Sequence, residues 1–180
     1  TFPDGTVMND STPLAHALER AHPGHRSIIP DDTAHAYLSD LLEDFGDEWV
    51  TKIMFHYRWF YAPDRKFAQD WVITSRDPQM PEAERRAAMQ AFNDRQVGRM
   101  AMVGCTDANR PIIEDSYRFI LDTLDPHVRK MEYLFGSRPS LADFGLFGQL
   151  QILSVDPTPM MEMRARAPDV YCWLLRLDDA

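Results

Sequence analysis

Apolar positions recur at helical spacing over most of this chain. Over residues 33–60, Tyr37, Leu38, Leu41, Leu42, Phe45, Trp49, Ile53, His56 and Phe60 follow one another at mostly three- and four-residue steps, the period of one helix face. The pattern predicts one long helix, with Gly46 as its weak point because glycine loses the most backbone freedom on ordering. Tyr61-Ala62-Pro63-Asp64 reads as a break, and residues 66–75 as a short helix or turn-rich piece. Pro81 opens a helix to about residue 102, with Glu82 and Glu84 placed early, where the helix dipole favours anions. Residues 104–111 read as a loop, 112–135 as a helix kinked at Pro126, and 140–154 as another helix. Further helices follow Pro157 and Pro168. About six helices with almost no strand make a helical bundle.

The first residues depart from this pattern. Asp4-Gly5 is a turn dipeptide in which glycine supplies a positive φ, and Thr6-Val7-Met8 reads as a short strand leaving a hairpin. Ser11 reads as the N-cap of a helix with Pro13 in its first turn. Leu14, Ala17 and Leu18 form its apolar stripe, and His22-Pro23-Gly24 stops it. Three spans result: 1–24, a hairpin plus helix; 25–32, a linker containing Pro30; and 33–180, all α. Because Thr1 opens in mid-pattern, a preceding segment is expected.

Composition narrows the functions. Lys and Arg total 19 against 28 Asp and Glu, a formal charge of −9. That argues against sequence-independent nucleic-acid binding, which needs clustered cations. No run approaches the ~18 apolar residues of a membrane span. Cys105 and Cys172 are too few and too far apart for a disulfide framework or a CxxC metal site, and read as thiols in a reducing cytoplasm. His16, His22 and His25 lie around a Pro-Gly turn with no cysteine or carboxylate set, so no metal centre is assigned. Asp143-Phe144-Gly145 matches the kinase magnesium triplet, but no glycine-rich loop, strand lysine or catalytic loop accompanies it.

Two pairs of serine and aspartate carry the informative chemistry. Ser140-Leu141-Ala142-Asp143 is a capping box ahead of Phe144, Leu146, Phe147, Leu150 and Leu153. In such a box Ser140 Oγ accepts from the Asp143 N–H, and the Asp143 carboxylate reaches back to the Ser140 N–H. Phe144 and Phe147 predict a helix buried nearly all round, whose end needs its orphan amides satisfied internally; the role of the cap is structural. Asp10-Ser11 stands at the other predicted helix start. Free N–H groups and a positive dipole end suit a carboxylate there. The Ser11 hydroxyl adds a donor, and Asp10 offers an acceptor for an ammonium. The residues themselves leave two uses open, a plain helix cap and a site for a zwitterionic amino-acid terminus.

The Ser-x-x-Asp cap, preceded by Gly136-Ser137-Arg138-Pro139 and followed by an apolar helix, resembles the capping motif of the glutathione transferase C-terminal helical domain. Asp4-Gly5-Thr6-Val7-Met8-Asn9-Asp10-Ser11-Thr12-Pro13-Leu14 resembles the end of that family's thioredoxin-like N-terminal domain. The long helix after Pro30-Asp31-Asp32 resembles the family's linker and first bundle helix. Covering essentially the whole chain, the resemblance implies a mainly α, glutathione-transferase C-terminal-like bundle carrying a short thioredoxin-like remnant. It implies glutathione as substrate, held partly by Asp10 and Ser11, a small apolar electrophile as acceptor, and a homodimer. The family's catalytic Tyr, Ser or Cys lies in the region before its hairpin. No residue of this sequence takes that role, so transferase activity is expected only with such a residue upstream of Thr1. The alternative is a non-catalytic binding or assembly module.

In the resembled family the first bundle helix lines the cleft that receives the electrophile. His56, Tyr57 and Phe60 are therefore candidate pocket residues, Tyr57 first because a phenol can donate to developing charge. Core packing is the competing use of these rings. Asp115, Arg118 and Arg129 read as solvated or ion-paired and receive no function.

Overall fold

The 33–60 pattern does not make one straight helix, and the reason is a close crossing. A computed structural model describes residues 1–179; Ala180, the last residue of the all-α span, lies outside them. In it, helix α1 spans Ser11–Ala21, α2 spans Thr33–Phe45, and a π-helical turn over Gly46–Val50 leads into α3, Thr51–Phe60. The turn falls where α2 crosses α7 (Leu141–Leu153). A Cβ on Gly46 would lie 2.9 Å from the Gly145 carbonyl carbon, and a Cβ on Gly145 would lie 2.9 Å from Glu43 Cα. Backbone meets backbone here, so only glycine fits at either position.

The remaining helices are α4 (Ala62–Arg76), α5 (Glu82–Arg99), α6 (Arg110–Val128), α8 (Pro157–Arg166) and α9 (Pro168–Asp178), with a 3-10 turn at Met100–Val103. Pro63 sits in the first turn of α4, where its missing N–H costs nothing. The predicted break at 61–64 is therefore Tyr61 alone, and α4 is a full helix. Helix α6 stops at Val128, with Pro126 inside its last turn, and does not continue to residue 135. Trp59, Trp173, Tyr57 and Tyr117 fill the core between α3, α6 and α9. Helix α5 is amphipathic only weakly and contributes no buried residue. None of the described helices is long and apolar enough to cross a membrane.

The N-terminal segment differs from its reading. The Asp4-Gly5 turn forms: the Gly5 N–H donates to the Phe2 carbonyl at 2.9 Å and the Phe2 N–H to the Thr6 carbonyl at 2.8 Å. Thr6-Val7-Met8 is not a strand, because among the described residues no segment supplies the ladder partner it needs. Asp10, not Ser11, is the N-cap of α1, its Oδ1 accepting the Thr12 N–H at 3.1 Å. Helix α1 has no buried residue.

Three C-terminal helices receive side chains from distant elements at their N-termini. Ser39 of α2 accepts the Ala142 N–H of α7 at 3.1 Å. Asp64 of α4 accepts the Thr158 N–H of α8 at 2.8 Å. Asp125 of α6 accepts the Asp169 N–H of α9 at 2.8 Å and the Val170 N–H at 3.3 Å. Each satisfies amides that a helix cannot pair by itself and ties two helices together. Arg58 of α3 adds a buried bidentate pair with Asp156, at 2.8 and 3.1 Å, just before α8.

Candidate functional site

At the start of α1, Asp10 is held at φ 75°, ψ 129°. Among the described residues it is the only non-glycine with positive φ. Ser11 opens the helix beside it and is exposed. The donors left for a ligand are few. The Thr12 N–H is taken by Asp10 itself, the Thr12 hydroxyl donates to Glu43 Oε1 at 2.6 Å, and Pro13 has no N–H. Ser11 is the main donor that remains.

The field around this corner is acidic. Burial pushes the Glu43 carboxyl above its usual range against the pull of its Thr12 hydrogen bond, and Asp47, Asp10 and Asp44 add to the rise. Burial raises Asp47 as well, followed by Asp10, Glu48 and Asp44. Negative charge gathered this way opposes a carboxylate at the helix end and favours an ammonium.

His56, Tyr57 and Phe60 lie elsewhere. His56 and Tyr57 are fully buried and Phe60 half-buried, and the described cavities are lined by other residues. The Tyr57 hydroxyl is already spent, donating to Glu162 Oε2 at 3.1 Å. Burial and then the Glu162 charge push its pKa far above that of an ordinary phenol. The His56 ring stacks on Phe60 at 4.8 Å between centroids.

These rings belong to a polar network that the sequence pattern did not expose. With Glu114 ionised, His56 Nε2 donates to its Oε1 at 3.3 Å, and the Tyr61 hydroxyl donates to the same oxygen at 2.5 Å. Arg118 links Glu114 Oε2, at 3.4 Å, to Glu162 Oε1, at 2.7 Å. Burial works against the Glu114 charge, but the Tyr61 and His56 hydrogen bonds and Arg118 outweigh it and hold its pKa below the usual value. Tyr61 is pushed up to about 12 by burial and its hydrogen bond to Glu114. Burial lowers His56 below its ordinary value despite Glu114, and His56 Nδ1 has no partner. Glu114 and Tyr61 had one kind of sequence signal, the i, i+4 pairs Tyr57/Tyr61 and Glu114/Arg118; Glu162 had none. The network locks α3, α6 and α8 together and leaves His56 Nδ1 as its unpartnered atom.

The Ser140–Asp143 box is closed. Asp143 Oδ2 accepts the Ser140 N–H at 2.8 Å and the Ser140 hydroxyl at 2.6 Å, while Oδ1 accepts the Leu134 N–H at 2.9 Å from the preceding loop. Burial raises the Asp143 pKa against these hydrogen bonds; the Trp173 indole N–H lies close by without completing a hydrogen bond. Helix α7 is not buried all round: Phe144 is 38% exposed, because only the face bearing Leu146, Leu150 and Leu153 turns to the core.

Two apolar clefts lie between the π-turn and α6, and a third lies between α3 and the 3-10 turn. One of about 450 Å3 is bounded by Phe45, Trp49, Ile112 and Phe119, and one of about 290 Å3 by Trp49, Lys52, Asn109 and Ile112. The third, of about 230 Å3, joins Lys52 to Phe55. Compared with known proteins, the chain matches no protein-family model and no curated protein.

Proposed function

We propose that this chain is a cytoplasmic, glutathione-transferase-like bundle whose Asp10–Ser11 corner holds the γ-glutamyl end of glutathione, for transfer to a small apolar electrophile. One observation carries the reading. Asp10 adopts a backbone conformation that aspartate rarely takes, at the exposed start of a helix with no fully buried residue. Such strain costs roughly 1–3 kcal/mol and collects at functional sites. A plain cap has no need of it, since an N-cap ordinarily sits in extended backbone, as Asp32 does at the start of α2.

The chemistry of the corner divides the ligand. Asp10, inside the field of Glu43, Asp44 and Asp47, takes the ammonium. The Ser11 hydroxyl and N–H take the neighbouring carboxylate. The ammonium contact is the stronger of the two because the acidic surroundings reinforce it. Activation of the thiol needs a further donor to lower its pKa, which the reading assigns to a residue outside this sequence.

Retention of the full-length protein on glutathione-agarose tests the assignment. Asp10→Asn is expected to weaken binding about tenfold and Ser11→Ala about threefold, within the range for hydrogen bonds to charged groups. Equal retention of wild type and both variants overturns it. A second reading, an assembly module without chemistry, draws on the exposed apolar residues of α2 and α6. Glutathione binding without conjugation of an aryl halide favours that reading.

A further inference from the structure

A separate cleft of about 230 Å3 opens where the end of α7 meets α8 and α9. On α9, Tyr171, Leu174, Leu175 and Asp178 all line it. They fall at i, i+3, i+4 and i+7, one face of a helix. Leu174 is buried and Leu175 is 52% exposed, so the apolar wall runs from the core to the rim. Across from them, α8 supplies Met160 and Arg164.

Arg164 is the cation of this cleft, and it is held in place before any ligand arrives. Its Cζ lies 4.7 Å from the centroid of the Tyr171 ring, and its Nη2 donates to the Tyr171 hydroxyl at 3.1 Å. The hydroxyl accepts that bond, so its own proton stays available to a second acceptor. The acids nearest along α8 and α9 are engaged elsewhere. Arg58 holds Asp156, Arg118 and Arg166 hold Glu162, and Arg129 holds Asp169. Arg164 itself has no salt-bridge partner among the described residues. Asp178 is the one acid lining the cleft. It stands two turns beyond Tyr171, roughly 10 Å along the helix axis.

We propose that this cleft binds a small apolar monocarboxylate, with its carboxylate on Arg164 and Tyr171 and its hydrocarbon against Met160, Leu174 and Leu175. A guanidinium stacked on an aromatic ring is weakly hydrated and presents its remaining N–H groups as a fork that matches a carboxylate. The apolar wall selects an acid with a hydrocarbon body over a bare anion. Asp178 repels a carboxylate at the far end, which fixes the ligand's direction and disfavours a second acid group. The volume lies below the roughly 300–1,000 Å3 of drug-sized sites, so the occupant is small. The inference is independent of glutathione binding, since neither Asp10 nor Ser11 lines this cleft.

Titration calorimetry of the full chain with phenylacetate tests it. The wild type is expected to bind with a Kd on the order of 0.1–1 mM, the range for about ten non-hydrogen atoms. Phenylacetamide, the neutral analogue, should bind at least about tenfold more weakly, and Arg164→Gln should lose phenylacetate by a similar factor. Tyr171→Phe keeps the ring under Arg164 and removes one donor, so about threefold is expected. Leu175→Glu, at the exposed rim, should abolish binding with an unchanged circular dichroism spectrum. Lys52→Gln and Asp10→Asn, at other places on the molecule, should bind as the wild type does. A wild type showing no saturable binding at millimolar phenylacetate overturns the proposal. So does equal affinity for the amide, an Arg164→Gln variant that binds normally, or a loss that follows Lys52 instead of Arg164.

Discussion

Two helices in this protein begin with an aspartate and a serine, and their circumstances are opposite. At α7, Asp143 is fully buried, and its two oxygens accept hydrogen bonds from the Ser140 amide, the Ser140 hydroxyl and the Leu134 amide. At α1, Asp10 is exposed, makes one hydrogen bond to its own helix, and holds a strained backbone. The residue types are the same. Burial makes one a structural bolt, and exposure with strain leaves the other open to the ligand proposed for it. Capping chemistry thus does not separate a site from a scaffold; the environment of the carboxylate does.

The contrast can be broken most directly at its buried end. Asp143→Ala leaves three donors unpaired in the interior, and a loss of about 3 kcal/mol is expected, which lowers Tm by roughly 2–4 °C per kcal/mol. Thermal denaturation showing a shift as small as that of Asp10→Ala would erase the distinction. Next in size is Gly145→Ala, one turn into the same helix. Its Cβ would stand 2.9 Å from Glu43 Cα, so α2 and α7 must part at about 2 kcal/mol. Gly148→Ala, where nothing lies within 4 Å, is the control and should stabilise the helix slightly.

Acid sensitivity should also belong to the buried side. His56 has a folded pKa below its unfolded value because burial disfavours its cation. Its contribution is fully present above about pH 6.5. It is lost as pH falls from there toward the folded pKa, since the unfolded chain takes up the proton first. Melting curves across that window should show a slope that His56→Gln flattens; an unaltered slope would place the acid sensitivity elsewhere. The smallest effect is at the exposed end and has the opposite sign. Asp10→Gly removes a strained side-chain-bearing residue from positive φ and loses a cap that glycine replaces at little cost. Stability should hold or rise by about 0.5 kcal/mol, while glutathione retention falls. A clear fall in Tm would mean that the conformation is not strained.

Most of the helices were legible because they bury a stripe at helical period; α1 and α5, which have no buried residue, were legible from their prolines and first turns. The Gly46 weak point became the π-turn, and Pro157 and Pro168 opened α8 and α9. Misreadings occurred where local signals have two meanings. Pro63 looked like a break but occupies the first turn of α4. Ser11 looked like a cap, yet Asp10 one residue earlier provides it. Thr6-Val7-Met8 has strand-forming residues, but a strand exists only with a partner. The rings of His56 and Tyr57 gave no sign of whether they faced a pocket or the core, because an aromatic run fits either.

Taken alone, the sequence determined where the chain coils into helices, where prolines and glycines interrupt them, and the local box at Ser140. These depend on neighbours within a few residues. Tertiary structure alone decided that Ser39, Asp64 and Asp125 cap helices 103, 94 and 44 residues away, and that Glu114, Arg118 and Glu162 enclose the tyrosines. It also decided that Gly46 and Gly145 must be bare, and that Phe45 and Trp49 border one cleft with Ile112 and Phe119. Such facts arise only when distant segments are brought into contact, since charge, hydrogen bonding and burial act through space and not along the chain.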